Sequence, residues 1–134
     1  MKMKRLVVLI LALCCLLSAC GTPSGDIVLD EEGSYFDNFF VLEGKVYFHC
    51  TLVLQNNTDQ DITVKIRGDF QKDFASGLLT EAKLMALSGN QEDSFVLAPG
   101  ENELKVVFIG DHGGYSIKQD RLLPEIEILR VNEP

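Results

Sequence analysis

Alternating apolar and polar residues in the middle of the chain restrict its fold more than any other feature of the sequence. One face of an extended segment over 46–54 carries Val46, Phe48, Cys50, Leu52 and Leu54. Residues 62–67 repeat this spacing with Ile62, Val64 and Ile66. Because successive side chains of a strand point to opposite faces, each stretch predicts a β-strand with one buried face. The Asn- and Asp-rich residues 56–61 between them favour a turn, so we expect a hairpin.

Other short segments continue the same pattern. Residues 35–42 are aromatic and predict a first strand at a sheet edge, while 94–98, 104–108 and 124–128 predict later ones. About seven strands without intervening helices favour two antiparallel sheets packed face to face. The expected fold class is therefore all-β, an immunoglobulin-like antiparallel β-sandwich. Such a domain would lack the usual inter-sheet disulfide and the buried tryptophan, because Cys50 is the one Cys usable within it and the chain contains no Trp.

The stretch 78–87 leaves two alternatives open. It consists of good helix formers and is followed by Gly89, a residue common just after helices. Its neighbours are all predicted strands, and its residues also alternate. We expect a strand over 81–87, preceded by an irregular crossing over 69–77.

The N-terminus has the composition of an export signal. Three cationic residues precede an apolar run over 6–17, which is too short to span a bilayer. The following residues, Leu17-Ser18-Ala19-Cys20-Gly21, resemble the lipobox of bacterial lipoproteins. The resemblance implies cleavage before Cys20 and a diacylglycerol, with palmitate-like acyl chains, on its sulfur. The remaining alternatives are a secreted protein cut near Ala19 and an uncleaved anchor.

Three segments follow from this interpretation. Residues 1–19 form a signal-peptide helix, residues 20–34 carry the lipid and a flexible Gly-, Ser- and acid-rich tether, and residues 35–134 form the sandwich domain. The protein is expected at the cell membrane, lipid-anchored on the extracytoplasmic face. Removal of the signal lowers the net charge from −8 to −11, because three of the twelve Lys and Arg residues lie within it. Nucleic acid is excluded as a partner, since an acidic surface repels it.

The strand and turn pattern also carries a resemblance. Leu54-Gln55-Asn56-Asn57-Thr58, and later Phe95 to Glu101 running into Val106-Val107-Phe108, are similar to the telokin-like, immunoglobulin-fold modules found on lipoproteins of Firmicutes. The similarity covers about residues 44–131. It implies the sandwich fold and no catalytic residue, because those modules are mostly of undefined activity.

Few side chains suggest chemistry. His49 and Cys50 lie next to each other on one strand and therefore point to opposite faces, which prevents a direct catalytic pair. Asp111, His112 and Asp120 contain metal-ligating atoms, but no spacing brings them onto one ion. We therefore predict no catalytic residues, no metal site, no cofactor and no enzymatic activity.

The loop over 110–123 is the candidate recognition surface. It combines an aromatic side chain with cations, a composition typical of contact sites, in Tyr115, Lys118 and Arg121. Alternatively, Arg121 pairs with Asp120 or a neighbouring carboxylate, and Tyr115 covers the edge of the core. The expected function is a non-catalytic interaction module that binds an envelope protein or a cell-wall polymer. The alternative is a lipoprotein that binds a small ligand or metal ion for a transporter or sensor.

Overall fold

The computed structural model describes residues 25–115 and 121–131, and more than half of these residues lie in β-strands. Its elements are β1 (Ile27–Leu29), β2 (Tyr35–Leu42), β3 (Lys45–Asn56), β4 (Ile62–Asp69), α1 (Gln71–Ala75), β5 (Lys83–Leu87), β6 (Phe95–Leu97), β7 (Gly100–Asp111) and β8 (Glu125–Arg130). All strand pairs are antiparallel and connect into one eight-stranded sheet. The expectation of an all-β chain is confirmed, with eight strands in the described residues instead of about seven.

Two strands organise the pairing. β3 pairs with β7 along its full length on one edge, and with β2 and β1 on the other. β4 pairs with β8 on one edge, and with β5 and β6 on the other. β5 joins the two groups, because Lys83–Met85 face β4 whereas Ala86 and Leu87 face β7. β1 and β2 therefore lie beyond β3 at one end of the sheet and β8 lies beyond β4 at the other, while β6 pairs with β4 only.

The core lies between the inward faces of β3 and β4, as the alternation predicts. Val46, Phe48, Cys50, Leu52 and Leu54 are buried in the same cluster as Ile62, Val64 and Ile66. Three phenylalanine rings form its centre, with the Phe48 and Phe70 ring centroids 4.4 Å apart and those of Phe70 and Phe108 5.2 Å apart. Burial of these apolar faces supplies the main driving force for folding.

The predicted hairpin over 46–67 is wrong. β3 and β4 do not pair with each other, and residues 57–61 carry the chain from one group of strands to the other. Asn56 provides the physical reason, because its buried side chain donates to the carbonyl oxygens of Gln60 (2.8 Å) and Leu97 (2.9 Å). These bonds direct the chain toward β6, so that the apolar faces of β3 and β4 are buried against each other.

The structure also changes the bounds of the predicted tether and decides between the two alternatives for residues 78–87. The predicted tether over 20–34 extends too far, because Ile27–Leu29 pair with Leu54–Asn56 of β3 and partly bury their side chains. A composition rich in acids and glycine concealed this short apolar triplet. The stretch 78–87 contains strand β5, as expected, whereas the crossing over 69–77 contains the one-turn helix α1.

Candidate functional site

β2 carries an unusual amount of exposed apolar surface. Within the described ranges, eight large apolar side chains are exposed, and four of them belong to this strand: Tyr35, Phe40, Val41 and Leu42. Leu42 is 53% exposed. Contiguous apolar surface on a soluble domain commonly marks an interaction site. β2 is therefore the first candidate for a contact surface.

No described strand pairs with the outer edge of β2. β2 pairs with β3 only, and the amide of Phe39 donates to the side-chain oxygen of Asn38 (2.9 Å) instead of to the ladder. Natural edge strands are usually protected by Lys, by Pro or by short length. β2 has eight residues and contains no Lys, Arg or Pro. Apart from the β-bulge at Asp37 and the Asn38 side chain on the Phe39 amide, its outer edge is therefore open to another extended chain.

A β-bulge fixes the start of this strand. The pairing register with β3 shifts between Phe36 and Asn38, so that Asp37 is the additional residue. The hydroxyl of Thr51 donates to the Asp37 carboxylate (2.6 Å), and the ammonium of Lys105 donates to the same hydroxyl (2.9 Å). These bonds hold the start of β2 against β3 and leave its other edge open.

A cleft of about 800 Å³ lies beside β2, and we call it the β2–β8 cleft. Its apolar walls comprise Leu29, Tyr35 and Phe36 on one side, and Leu122, Leu123 and Ile126 on the other. Leu122 is 86% exposed. The carboxylates of Glu31 and Glu125 also line the cleft, and neither forms an ion pair with another described residue. The cleft is therefore lined about equally by apolar and polar atoms, and two carboxylates without an ion-pair partner among the described residues are part of that lining.

Arg121 anchors the segment that forms one wall of this cleft. Its guanidinium donates to the Asp73 carboxylate (2.7 Å), and the two side chains are only 13% and 19% exposed. The same guanidinium lies over the rings of Phe39 (4.2 Å to the centroid) and Phe48 (5.3 Å). Arg121 thereby connects α1 to β2. Its charge is neutralised inside the protein, which agrees with the alternative of pairing with a carboxylate.

Tyr115 lies in a different environment from Arg121. Its side chain is 68% exposed and lies against Gly77, where a Cβ would come within 2.7 Å of the ring. Its carbonyl oxygen is 3.3 Å from Nε2 of His112. Among the described residues, no hydrogen bond or ion pair joins Tyr115 to Arg121. Lys118 lies outside the described residues.

Cys20, the predicted lipid attachment residue, also lies outside the described residues. Within the part of the chain that the structure describes, no helix has the length and apolar character needed to cross a membrane.

The residues considered for catalysis or metal binding are engaged elsewhere. The His49 ring stacks on Phe40, whereas Cys50 is a free thiol in the core, where burial raises its pKa to about 12. Asp111 pairs with Lys45, and Asp120 is not among the described residues. Across 25–115 and 121–131, no three His, Cys, Asp or Glu side chains are grouped to hold a metal ion.

One polar atom beside the cleft lacks a partner. Oδ1 of Asp69, at the end of β4, is buried and accepts no hydrogen bond from the described residues. Asp69 lines a second cleft of about 360 Å³ together with Phe36 and Arg121. Most buried polar atoms in proteins are hydrogen-bonded, so this oxygen is an exception among the described residues.

The structure adds site residues that sequence reasoning missed. Asp73 and Phe39 hold Arg121, while Leu122 and Glu125 form one wall of the cleft. An apolar edge strand without Lys or Pro was visible in the sequence over 35–42 and could have indicated the contact surface. Comparisons with protein-family models, with curated proteins and with solved structures found no match.

Proposed function

We propose that this chain is a lipid-anchored, non-catalytic interaction module on the extracytoplasmic face of the cell membrane. The lipid is attached to Cys20, and the body is an immunoglobulin-like sandwich in which the β3 and β4 groups are the two layers. The shared core between these groups supports that arrangement. Two acyl chains provide stable anchoring, whereas one chain is marginal.

The observation that carries the proposal is the concentration of exposed apolar side chains along β2. Burying such surface against a partner stabilises the complex by about 25 cal/mol for each Å² of apolar surface removed from water. A rigid β-domain with an exposed strand edge is a common scaffold for binding extended peptides. The partner is an envelope protein or a cell-wall polymer.

The anchoring part is tested by cell fractionation and mass spectrometry of the native product. Cys20→Ser should move the protein from the membrane to the soluble extracytoplasmic fraction and remove the mass of the diacylglycerol. Cys50→Ala is the matched control, because this thiol is buried and its loss should leave the protein in the membrane. An unmodified Cys20 in the native product would overturn the anchoring proposal.

The interaction part is tested by crosslinking in intact membranes. A photoreactive residue is placed at exposed surface positions, one position per variant, including 42, 96 and 115. A crosslinked product of constant stoichiometry from any of them supports an interaction module, and absence of a product at every position contradicts it. A thermal shift with divalent cations or small solutes would instead support the small-ligand alternative, since saturating ligand adds about 2.7 kcal/mol at 100 times its Kd.

A further inference from the structure

We infer that the outer edge of β2 binds an extended, cationic and apolar peptide segment of a partner, which adds a strand to the sheet beside β2. This inference rests on the proposed interaction function and names the surface and the chemistry of the partner. It is carried by three observations: an open strand edge, the apolar side chains on β2 and in the cleft beside it, and the charge around both.

The open edge determines that the occupant is an extended peptide. The Phe39 amide does not donate to β3 and points away from it. Amides alternate between the two edges of a strand, so the amide of Val41, two residues further along, also points away from β3. Only an extended polypeptide has main-chain hydrogen-bond donors and acceptors spaced to pair with such an edge over several residues. A polysaccharide has no main-chain amides at this repeat, so it fits the edge less well.

The side chains determine that the occupant is partly apolar. Phe40, Val41 and Leu42 expose apolar surface on both faces of the strand. The β2–β8 cleft lies next to the start of the same strand, and its apolar walls provide a place for one large side chain. An incoming strand with alternating apolar residues would cover this surface.

The charge determines that the occupant is cationic. Glu31 and Glu125 line the cleft without an ion-pair partner among the described residues, and Glu43 is exposed in the turn after β2. The one arginine at the cleft, Arg121, is already neutralised by Asp73. A second copy of this chain is disfavoured as the occupant, because each copy without its signal has a net charge of −11 and like charges repel.

The probe is a labelled eight-residue peptide of alternating lysine and valine, added to the chain as purified from its host in detergent micelles. Fluorescence anisotropy should show saturable binding. Methylating alternate backbone nitrogens of the peptide should weaken it by about tenfold or more, because main-chain donors are lost. Replacing lysine by glutamate should weaken it by a similar factor of about ten.

Two matched variants locate the surface. Val41→Lys places a cation on the β2 edge and should weaken peptide binding by about tenfold. Val96→Lys makes the same change on β6, where Val96 is exposed, and should leave the affinity within about twofold. Equal urea unfolding midpoints for the native chain and both variants exclude unfolding as the cause of weaker peptide binding. If Val41→Lys is destabilised, Leu42→Lys takes its place in the experiment.

Each result decides the inference separately from the proposed function. No binding, equal binding of the N-methylated peptide, or equal loss in both lysine variants would overturn strand addition at β2. A self-associating chain that does not bind the peptide would also overturn it. If a membrane partner crosslinks at positions 96 or 115 and never at 42, the interaction function stands and this inference fails.

Discussion

Removing the carboxylate that neutralises Arg121 should destabilise the protein measurably. Asp73→Asn keeps the size of the side chain and the backbone carbonyl that accepts from Leu78 and Leu79, but it removes the negative charge. Loss of one partner costs about 3–5 kcal/mol in a fully buried ion pair, and an exposed pair contributes about 0–1 kcal/mol. With the two side chains 13% and 19% exposed, we expect a loss of about 2 kcal/mol in the free energy of unfolding.

The assay is equilibrium urea unfolding, because urea is uncharged and does not screen the pair. The melting temperature should fall by about 8–12 °C. Asp93→Asn is the control, since the Lys65–Asp93 pair is 41% and 51% exposed and should contribute less than about 0.5 kcal/mol.

A double-mutant cycle tests the cause of the loss. Arg121→Met keeps an apolar stem against the Phe39 and Phe48 rings and removes the cation. With Arg121 already replaced, Asp73→Asn should cost about 1–2 kcal/mol less than it does in the native chain. Additive effects, or a loss no larger than in the Asp93 control, would refute the reasoning that this pair is a shielded structural contact.

Three further predictions concern the core and its turns. Asn56→Ala should cost about 2–4 kcal/mol in urea unfolding, because four hydrogen bonds of a buried side chain are lost, whereas Asn57→Ala, with one long bond, should cost less than about 0.5 kcal/mol. Gly68→Ala should cost about 1–3 kcal/mol, because its Cβ would come within 2.8–2.9 Å of two phenylalanine rings, whereas Gly89→Ala meets nothing within 4 Å and should be neutral in the same assay. Burial raises the pKa of Cys50 to about 12, so the unfolded chain loses the thiol proton at a lower pH than the folded chain does. The free energy of unfolding should therefore fall above about pH 9 by about 1.4 kcal/mol per pH unit. Cys50→Ala should lack this slope when unfolding is measured from about pH 8 to 11. A flat pH profile for the native chain, or equal losses within either the asparagine or the glycine pair, would contradict the corresponding reasoning.

Local sequence predicted the strands but not their partners. The alternation over 46–54 and 62–66 depends on one buried face per strand, which is a local property, and both inward faces lie in the core as expected. Pairing depends on contacts far apart in the chain, and these have no local pattern. The Asn56 side chain donates to the carbonyl oxygen of Leu97, 41 residues away, and this long-range bond is the reason that residues 46–67 do not form the predicted hairpin.

The candidate site was predictable only in part. An aromatic edge strand over 35–42 was expected, but composition does not show that its outer main chain stays unpaired. Arg121 was expected in a contact loop, and pairing with a carboxylate was foreseen as an alternative. Its actual partner, Asp73, lies 48 residues earlier on a short helix that no helical pattern predicted.

The division of β5 between two neighbours has a consequence for local unfolding. Its first three residues pair with β4 and its last two with β7, so separating the two groups of strands must break the pairing of this five-residue segment with at least one of them. The two halves therefore cannot separate as independent cooperative units. Amide hydrogen exchange in the native state should accordingly give one shared protection free energy for the central residues of β3 and β4, equal to that of global unfolding.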